Sequence, residues 1–175
     1  MVPNSSPPLP RARGFTLIEV VITLIIIGVL ATIGARIMST AFQTYFAGRE
    51  IAQDDAQVRY ALERMTRELR AVRSPADLTI STQNKIKFVD VANTTISYRL
   101  SGTQLQRSQD NEASFQPLAE NINALTITYL RNDGQTAELF SGNPLLVYYI
   151  TAQLRVVSQG VVDMTYRGTV KPVAF

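Results

Sequence analysis

The alternation of apolar and polar positions divides the chain into three kinds of pattern. Residues 1–14 (MVPNSSPPLPRARG) are polar and proline-rich, with Arg11 and Arg13 near their end. Residues 15–35 are almost continuously apolar: no charge occurs from Val20 to Ala35, and one carboxylate, Glu19, stands a few residues after the start. As a helix, these 21 residues are about 31 Å long, enough for the ~30 Å hydrocarbon core of a bilayer. Branched residues dominate the segment and are poor formers of an isolated helix in water. In lipid, every backbone group must be satisfied within the segment, and helix is the only single-segment solution. No comparably apolar stretch elsewhere is available to surround it as a core helix. The pattern therefore predicts a membrane span over 15–36, with Phe15, Leu17, Ile18, Val20, Val21, Ile22, Leu24, Ile25, Ile26, Ile27, Val29, Leu30 and Ile33 as its apolar transmembrane residues. An ordinary secretory signal is the alternative. Against it, the apolar run exceeds the usual ~7–15 residues, Glu19 interrupts its start, and Arg36 follows as if closing a span.

Beyond Arg36 the period stays helical. Ile51, Val58, Leu62, Met65, Leu69 and Val72 form one apolar stripe, which must bury against something. Arg59–Glu63, Glu63–Arg67 and Arg64–Glu68 are spaced for i,i+4 ion pairs. No proline occurs between Pro10 and Pro75, so one helix is predicted from about Phe15 to Arg73, with Gly48 as a bend or melting point. After Pro75 the period becomes two. Ile86 and Phe88, then Ile96, Tyr98 and Leu100, then Leu105, then Leu125, Ile127 and Tyr129 read as strands. Asn132-Asp133-Gly134 reads as a turn, Leu145–Val157 as a long central strand, Ser158-Gln159-Gly160 as a break, and Val161–Tyr166 as a last strand. The fold class expected is α+β, with the amphipathic half of the helix laid across an antiparallel sheet. Its divisions are a leader at 1–14, the span at 15–36, the amphipathic helix at 37–74 and a β-rich domain at 75–175.

Composition narrows the chemistry. The 175 residues include no cysteine, histidine or tryptophan, so disulfide frameworks, thiolate metal sites and imidazole bases are excluded. No metal and no cofactor is expected. The net charge of +3 falls to +1 without residues 1–14, where 15 basic residues face 14 acidic ones, and that argues against a nucleic-acid surface. The run Arg64, Arg67, Arg70, Arg73 drifts around the helix and is interrupted by Glu63 and Glu68, so a solvated face accounts for it better. Asp54-Asp55, Asp77, Asp90, Asp110, Glu112, Asp133 and Asp163 are the carboxylates available to a hydrolase or a calcium site. Each reads more simply as a turn or surface residue, and Gly102, Gly134, Gly142, Gly160 and Gly168 are isolated turn glycines rather than a phosphate loop.

Glu19 is what insertion alone does not explain. A carboxylate near hydrocarbon costs several kcal/mol unless it lies at the interface or is paired. The helix dipole returns only ~0.3–1 kcal/mol in the first turn. A positive partner is required, and the segment has none.

The stretch Gly14-Phe15-Thr16-Leu17-Ile18-Glu19, with its short basic leader and apolar continuation, resembles the signature of type IV prepilins and type II secretion pseudopilins. The resemblance implies cleavage between Gly14 and Phe15 by a prepilin peptidase, methylation of the new amine, and pairing of Glu19 with the amine of a neighbouring subunit. It also implies a pilin-like fold, consistent with the helix-on-sheet pattern. Residues 61–70 (ALERMTRELR) and 118–134 (LAENINALTITYLRNDG) are similar to minor components, the J-like pseudopilins and the W-like or O-like minor pilins. The stapled loop of disulfide-bearing major pilins does not carry over, since cysteine is absent. The implied function is a structural subunit that primes or caps filament assembly and is not an enzyme. Implied partners are prepilin peptidase, other minor pilins or pseudopilins, the major subunit, the inner-membrane assembly platform and membrane lipid. The implied location is the bacterial inner membrane, single-pass, with the C-terminal domain outside the cytoplasm. The alternatives are an exported membrane-anchored binding or adhesin module and, behind it, a periplasmic enzyme released by an ordinary signal peptidase.

Overall fold

The computed structural model describes residues 14–82, 84–138, 143–158 and 162–173. The leader up to Arg13, and the expectations for Gly142, Gln159, Gly160 and Val161, lie outside the described residues. The chain forms two compact units, residues 1–45 and 46–175, and a single helix, α1 (Leu17–Arg70), takes part in both. Gly48 does not melt it: the helix continues through that position. In the first unit every described residue is exposed.

In the second unit α1 buries Asp54, Val58, Ala61, Met65 and Leu69, which recur at intervals of four and three along one face. Val58, Met65 and Leu69 belong to the expected stripe. Leu62 is only partly buried, and Ala61 occupies the central position instead. Fully burying a side chain such as Met65 or Leu69 contributes roughly 1.5–3 kcal/mol. Of the expected ion pairs, Arg64–Glu68 forms, at 3.2 Å. Arg59 turns back to Asp55 (2.8 Å) rather than to Glu63, and Glu63 and Arg67 make no ion pair among the described residues.

The helix stops at Arg70, earlier than Pro75 alone would require. The N–H groups of Ala71 and Val72 donate to the carbonyls of Glu68 and Leu69, which tightens the last turn. Val72 then forms a bridge with Asp90, while the Arg73 N–H donates to the Val89 carbonyl. Strand pairing thus captures the chain before the proline acts. Ser74 accepts from the Ala76 N–H and caps a short 3-10 turn, Pro75–Asp77.

Among the described residues nine strands follow in two antiparallel sheets, where the sequence pattern suggested one. The first sheet has the order β1 (Leu78–Thr82), β2 (Lys85–Val89), β3 (Thr95–Ser101), β4 (Gln104–Ser108), β5 (Gln116–Ala119). In the second, β6 (Ile122–Leu130) lies between β7 (Ala137–Glu138) and β8 (Tyr149–Ser158), and β9 (Val162–Val170) pairs with β8. Ile86, Phe88, Ile96, Tyr98, Leu105, Leu125, Ile127 and Tyr129 are buried, as their alternation predicted. They form one apolar core with Val58, Met65 and Leu69 of α1. The Asp133 carboxylate accepts the Gln135 and Thr136 N–H groups, and Gly134 adopts a φ of 69°, so the predicted turn is present.

The long strand expected over Leu145–Val157 is shorter at its start. Asn143 accepts from the Leu145 N–H and Pro144 opens a 3-10 turn, Pro144–Leu146, so extended pairing begins only at Tyr149. In β9, Val162, Met164 and Tyr166 alternate with exposed residues as expected, and Gly168 continues their face. A Cβ at Gly168 would stand 2.5 Å from Thr66 Cγ2 and 3.5 Å from Leu62 Cδ1 of α1. Gly168→Ala is therefore expected to destabilise the second unit by about 1–3 kcal/mol through overpacking. Thr66→Ala in the same chain should recover most of that loss, as denaturant titration of the single and double variants would show.

Candidate functional site

The prepilin-like signature sits where the sequence placed it, at the start of α1. Gly14 is exposed, and a Cβ there would have no neighbouring atom within 4 Å. Phe15 is 81 % exposed, and Glu19 lies in the first turn. Thr16 organises that turn. Its carbonyl accepts the Glu19 and Val20 N–H groups (3.1 and 3.3 Å), and its hydroxyl accepts the Glu19 N–H at 3.3 Å. Thr16-Leu17-Ile18-Glu19 has the spacing of a capping box, a signal that was legible in the sequence and not used there. Two different groups of Glu19 are involved in the two roles. The cap uses its backbone N–H, while the carboxylate is the part that needs a partner in an apolar surrounding.

All thirteen apolar residues named for the span, Phe15 to Ile33, are exposed. The segment reaches a mean hydropathy of 2.6 over its most apolar window, none of which is buried, so α1 is long and apolar enough to cross a membrane. Its hydroxyls are satisfied internally: Thr23 donates to the Glu19 carbonyl and Thr32 to the Val29 carbonyl, each at 2.7 Å. Such bonds let threonine enter an apolar helix without leaving a bare donor.

In the second unit the acidic residues are drawn into structure. Asp54, buried on α1, accepts from Asn121 Nδ2 (3.0 Å) and Ser158 Oγ (2.7 Å), tying the helix to β8 and the turn before β6. Asp55 accepts from Arg59 and the Tyr166 hydroxyl. Asp77 pairs with Arg73, Glu112 with Lys85, and Asp163 with Arg155. Asp90 accepts the Ala92 and Thr94 N–H groups. Asp110 accepts from Ser108 and Ser114, and their hydroxyls together with the Ser114 N–H hold its carboxyl down to about 2.

The sequence reading gave Glu68 one partner, and the structure gives it three. It accepts from Arg64 Nε (3.2 Å), Arg107 Nε (2.9 Å) and the Tyr98 hydroxyl (2.6 Å). Burial pushes its carboxyl up, but the Arg107, Tyr98 and Arg64 bonds outweigh burial and hold it below the usual glutamate value. Asp54 was also missed as a helix-to-sheet anchor. Its position four residues before Val58 puts it on the buried face, and that periodicity was the available signal.

Residues 9–35 match the family model of the prokaryotic N-terminal methylation motif. No match was found among curated proteins. The match covers Gly14, Phe15, Glu19 and the apolar run together. With the helix-on-sheet architecture, it shows a prepilin-type N-terminal motif on a pilin-like α+β fold.

Proposed function

We propose that the chain is a minor pilin or pseudopilin, a structural subunit that primes or caps assembly of a type IV pilus or type II secretion pseudopilus. The observation that carries this reading is the junction at Gly14-Phe15. An unobstructed glycine is followed at once by an exposed apolar helix that contains Glu19 and leads into a folded β-rich unit. A prepilin peptidase would cut after Gly14 and leave Phe15 as the mature N-terminus. The apolar helix would hold the subunit in the inner membrane, single-pass, with residues from 46 onward outside the cytoplasm. From there the helix would enter a filament alongside other minor subunits and the major subunit, delivered by the assembly platform. In this scheme the chain is the substrate of an enzyme and then a building block, and its carboxylates serve the fold.

Intact mass and N-terminal sequencing of membrane-derived protein test the reading. The expected mature start is Phe15 with a methylated amine. A start near Arg36 would instead indicate ordinary signal cleavage and overturn it. Gly14→Leu should accumulate as uncut precursor in the membrane. Because nothing packs on Gly14, that result would report processing and not misfolding.

A further inference from the structure

β5 leaves a cleft at the edge of the first sheet. It has four residues, contains Pro117, and is joined to β4 through a register shift between Leu105 and Gln106. An irregularity of that kind bends and twists the strand that carries it. Between β5, the connection that follows β4 and the flank of α1 lies a cavity of about 380 Å³. Arg64 of α1 and Arg107 of β4 line it, with Gln116, Pro117 and Leu118 of β5 and Asp110 of the connection. All of them belong to the second unit, so the processing junction takes no part in it.

One carboxylate holds two guanidinium groups at this cavity. Glu68 accepts Arg64 Nε on one oxygen and Arg107 Nε on the other, at 3.2 and 2.9 Å. Each guanidinium keeps its terminal nitrogens for other acceptors. Arg107 Nη1 donates to Gln109 Oε1 at 3.0 Å. Among the described residues, Arg107 Nη2 and both terminal nitrogens of Arg64 make no hydrogen bond. Gln116 stands opposite Arg107 in the strand ladder, is exposed, and its amide also has no partner among the described residues. The two cations and Glu68 leave one positive charge, and Asp110 balances it. Its carboxylate is fixed at the cavity wall by Ser108 Oγ (2.6 Å) and the Ser114 N–H (3.0 Å).

The cavity thus offers guanidinium donors, a fixed carboxylate and an apolar wall at Pro117 and Leu118. A bare anion such as phosphate would meet the donors but be repelled by Asp110. A free peptide C-terminus matches all three features. Its carboxylate takes guanidinium donors in pairs, its last N–H groups are donors for Asp110, and its last side chain covers the apolar wall. We propose that this cavity binds the free C-terminus of a partner chain that ends in an apolar residue. Arg64 and Arg107 take the carboxylate, with the Gln116 amide beside them, and Asp110 takes a main-chain N–H. Glu68 is a positioning residue, since it reaches the ligand only through the two arginines. A terminal segment can enter the cavity whatever the direction of the helix in the chain that supplies it. Both chains are therefore free to enter one membrane from the same side.

The test uses full-length chain in detergent micelles, titrated with acetyl-glycyl-leucine and followed by amide and arginine side-chain NMR shifts. Saturable shifts are expected at Arg64 and across residues 107–118. Acetyl-glycyl-leucinamide, which lacks the carboxylate, should bind at least about tenfold more weakly. Arg64→Gln removes one guanidinium while Glu68 keeps Arg107 and Tyr98, so the circular dichroism spectrum should be unchanged. Gln116→Glu sets a competing carboxylate opposite Arg107 on an exposed position. Each variant should weaken acetyl-glycyl-leucine about tenfold or more. Absence of saturable shifts overturns the proposal, as does equal binding of the acid and the amide. So does acetyl-aspartyl-leucinamide binding as tightly as the free acid, which would make this a site for acidic side chains. Displacement by inorganic phosphate at equal concentration, or variants that bind like the original, also overturn it. Processing at Gly14 is independent of all these outcomes, so failure here leaves the filament-subunit reading standing.

Discussion

Glu68→Ala is expected to lower the stability of the β-rich unit by about 3 kcal/mol, the size typical of breaking a partly buried ion pair from one side. The side chains of Glu68 and Arg107 are only 16 % and 13 % exposed. Removing the carboxylate leaves the Arg107 guanidinium with Gln109 as its remaining side-chain partner and deprives the buried Tyr98 hydroxyl of its acceptor. Glu68→Gln keeps the shape and an acceptor, and should cost less, about 1–2 kcal/mol. The pH dependence has a definite sign. Folding lowers this carboxyl below its ordinary value of 4.5, so the folded protein takes up the proton at lower pH than the unfolded chain does. The stabilisation is fully present above 4.5 and is lost as pH falls from there through the folded value. Denaturant titration of the full chain in micelles, repeated from neutral pH down into that window, should show the native protein losing stability. Glu68→Gln should show a correspondingly smaller loss. Equal slopes in the two proteins would mean that other carboxylates dominate the acid limb.

Different physical causes decided what could be read from the sequence. The span and the amphipathic helix were legible because their signals are long: an uncharged run from Val20 to Ala35, and a stripe carried through Val58, Met65 and Leu69. Strands β2, β3, β6 and β9 were legible because one face of each is turned toward the core, as the alternation at Ile86 and Phe88 shows. The edge strands β1, β5 and β7 were not. β5 contains Pro117, and β7 is two residues long, too short for any period to show. The 3-10 turn at Pro144 was hidden inside the apolar run Leu145–Val157, where composition alone does not separate a turn from a strand. The division into two sheets depends on which strands pair, and pairing is a long-range property. In the candidate site, Gly14, Phe15 and Glu19 were found from their order in the sequence. Thr16 was missed although its capping-box spacing to Glu19 was legible, because the same four residues had already been accounted for by the processing signature. Glu68 was undervalued for a similar reason. Its partners Tyr98 and Arg107 lie 30 and 39 residues away, beyond the reach of helical spacing.

Glu19→Ala should leave the subunit inserted and cut but exclude it from the filament. The helix start does not depend on the carboxylate, since the Thr16 cap is made to the Glu19 backbone N–H, which alanine retains. Insertion should improve, because a charge leaves the apolar segment. Cleavage at Gly14-Phe15 should continue, because the glycine and its surroundings are unchanged. Assembly is where the loss falls. In the proposed filament the mature amine of a neighbouring subunit lies in a poorly solvating surrounding, and Glu19 is the counter-charge that makes this tolerable. Removing one partner of such a pair costs about 3–5 kcal/mol, so incorporation should drop by roughly a hundredfold or more. Glu19→Gln tests the charge at nearly constant shape. It should fail to assemble too, which separates charge pairing from packing. The readout is crosslinking or co-purification with the other subunits, compared at equal membrane levels of cleaved protein. If both variants are cleaved, inserted and incorporated like the original, pairing is refuted for this subunit. Its Glu19 then faces no neighbouring amine, the arrangement expected of a subunit at the end of a filament, with no copy above it.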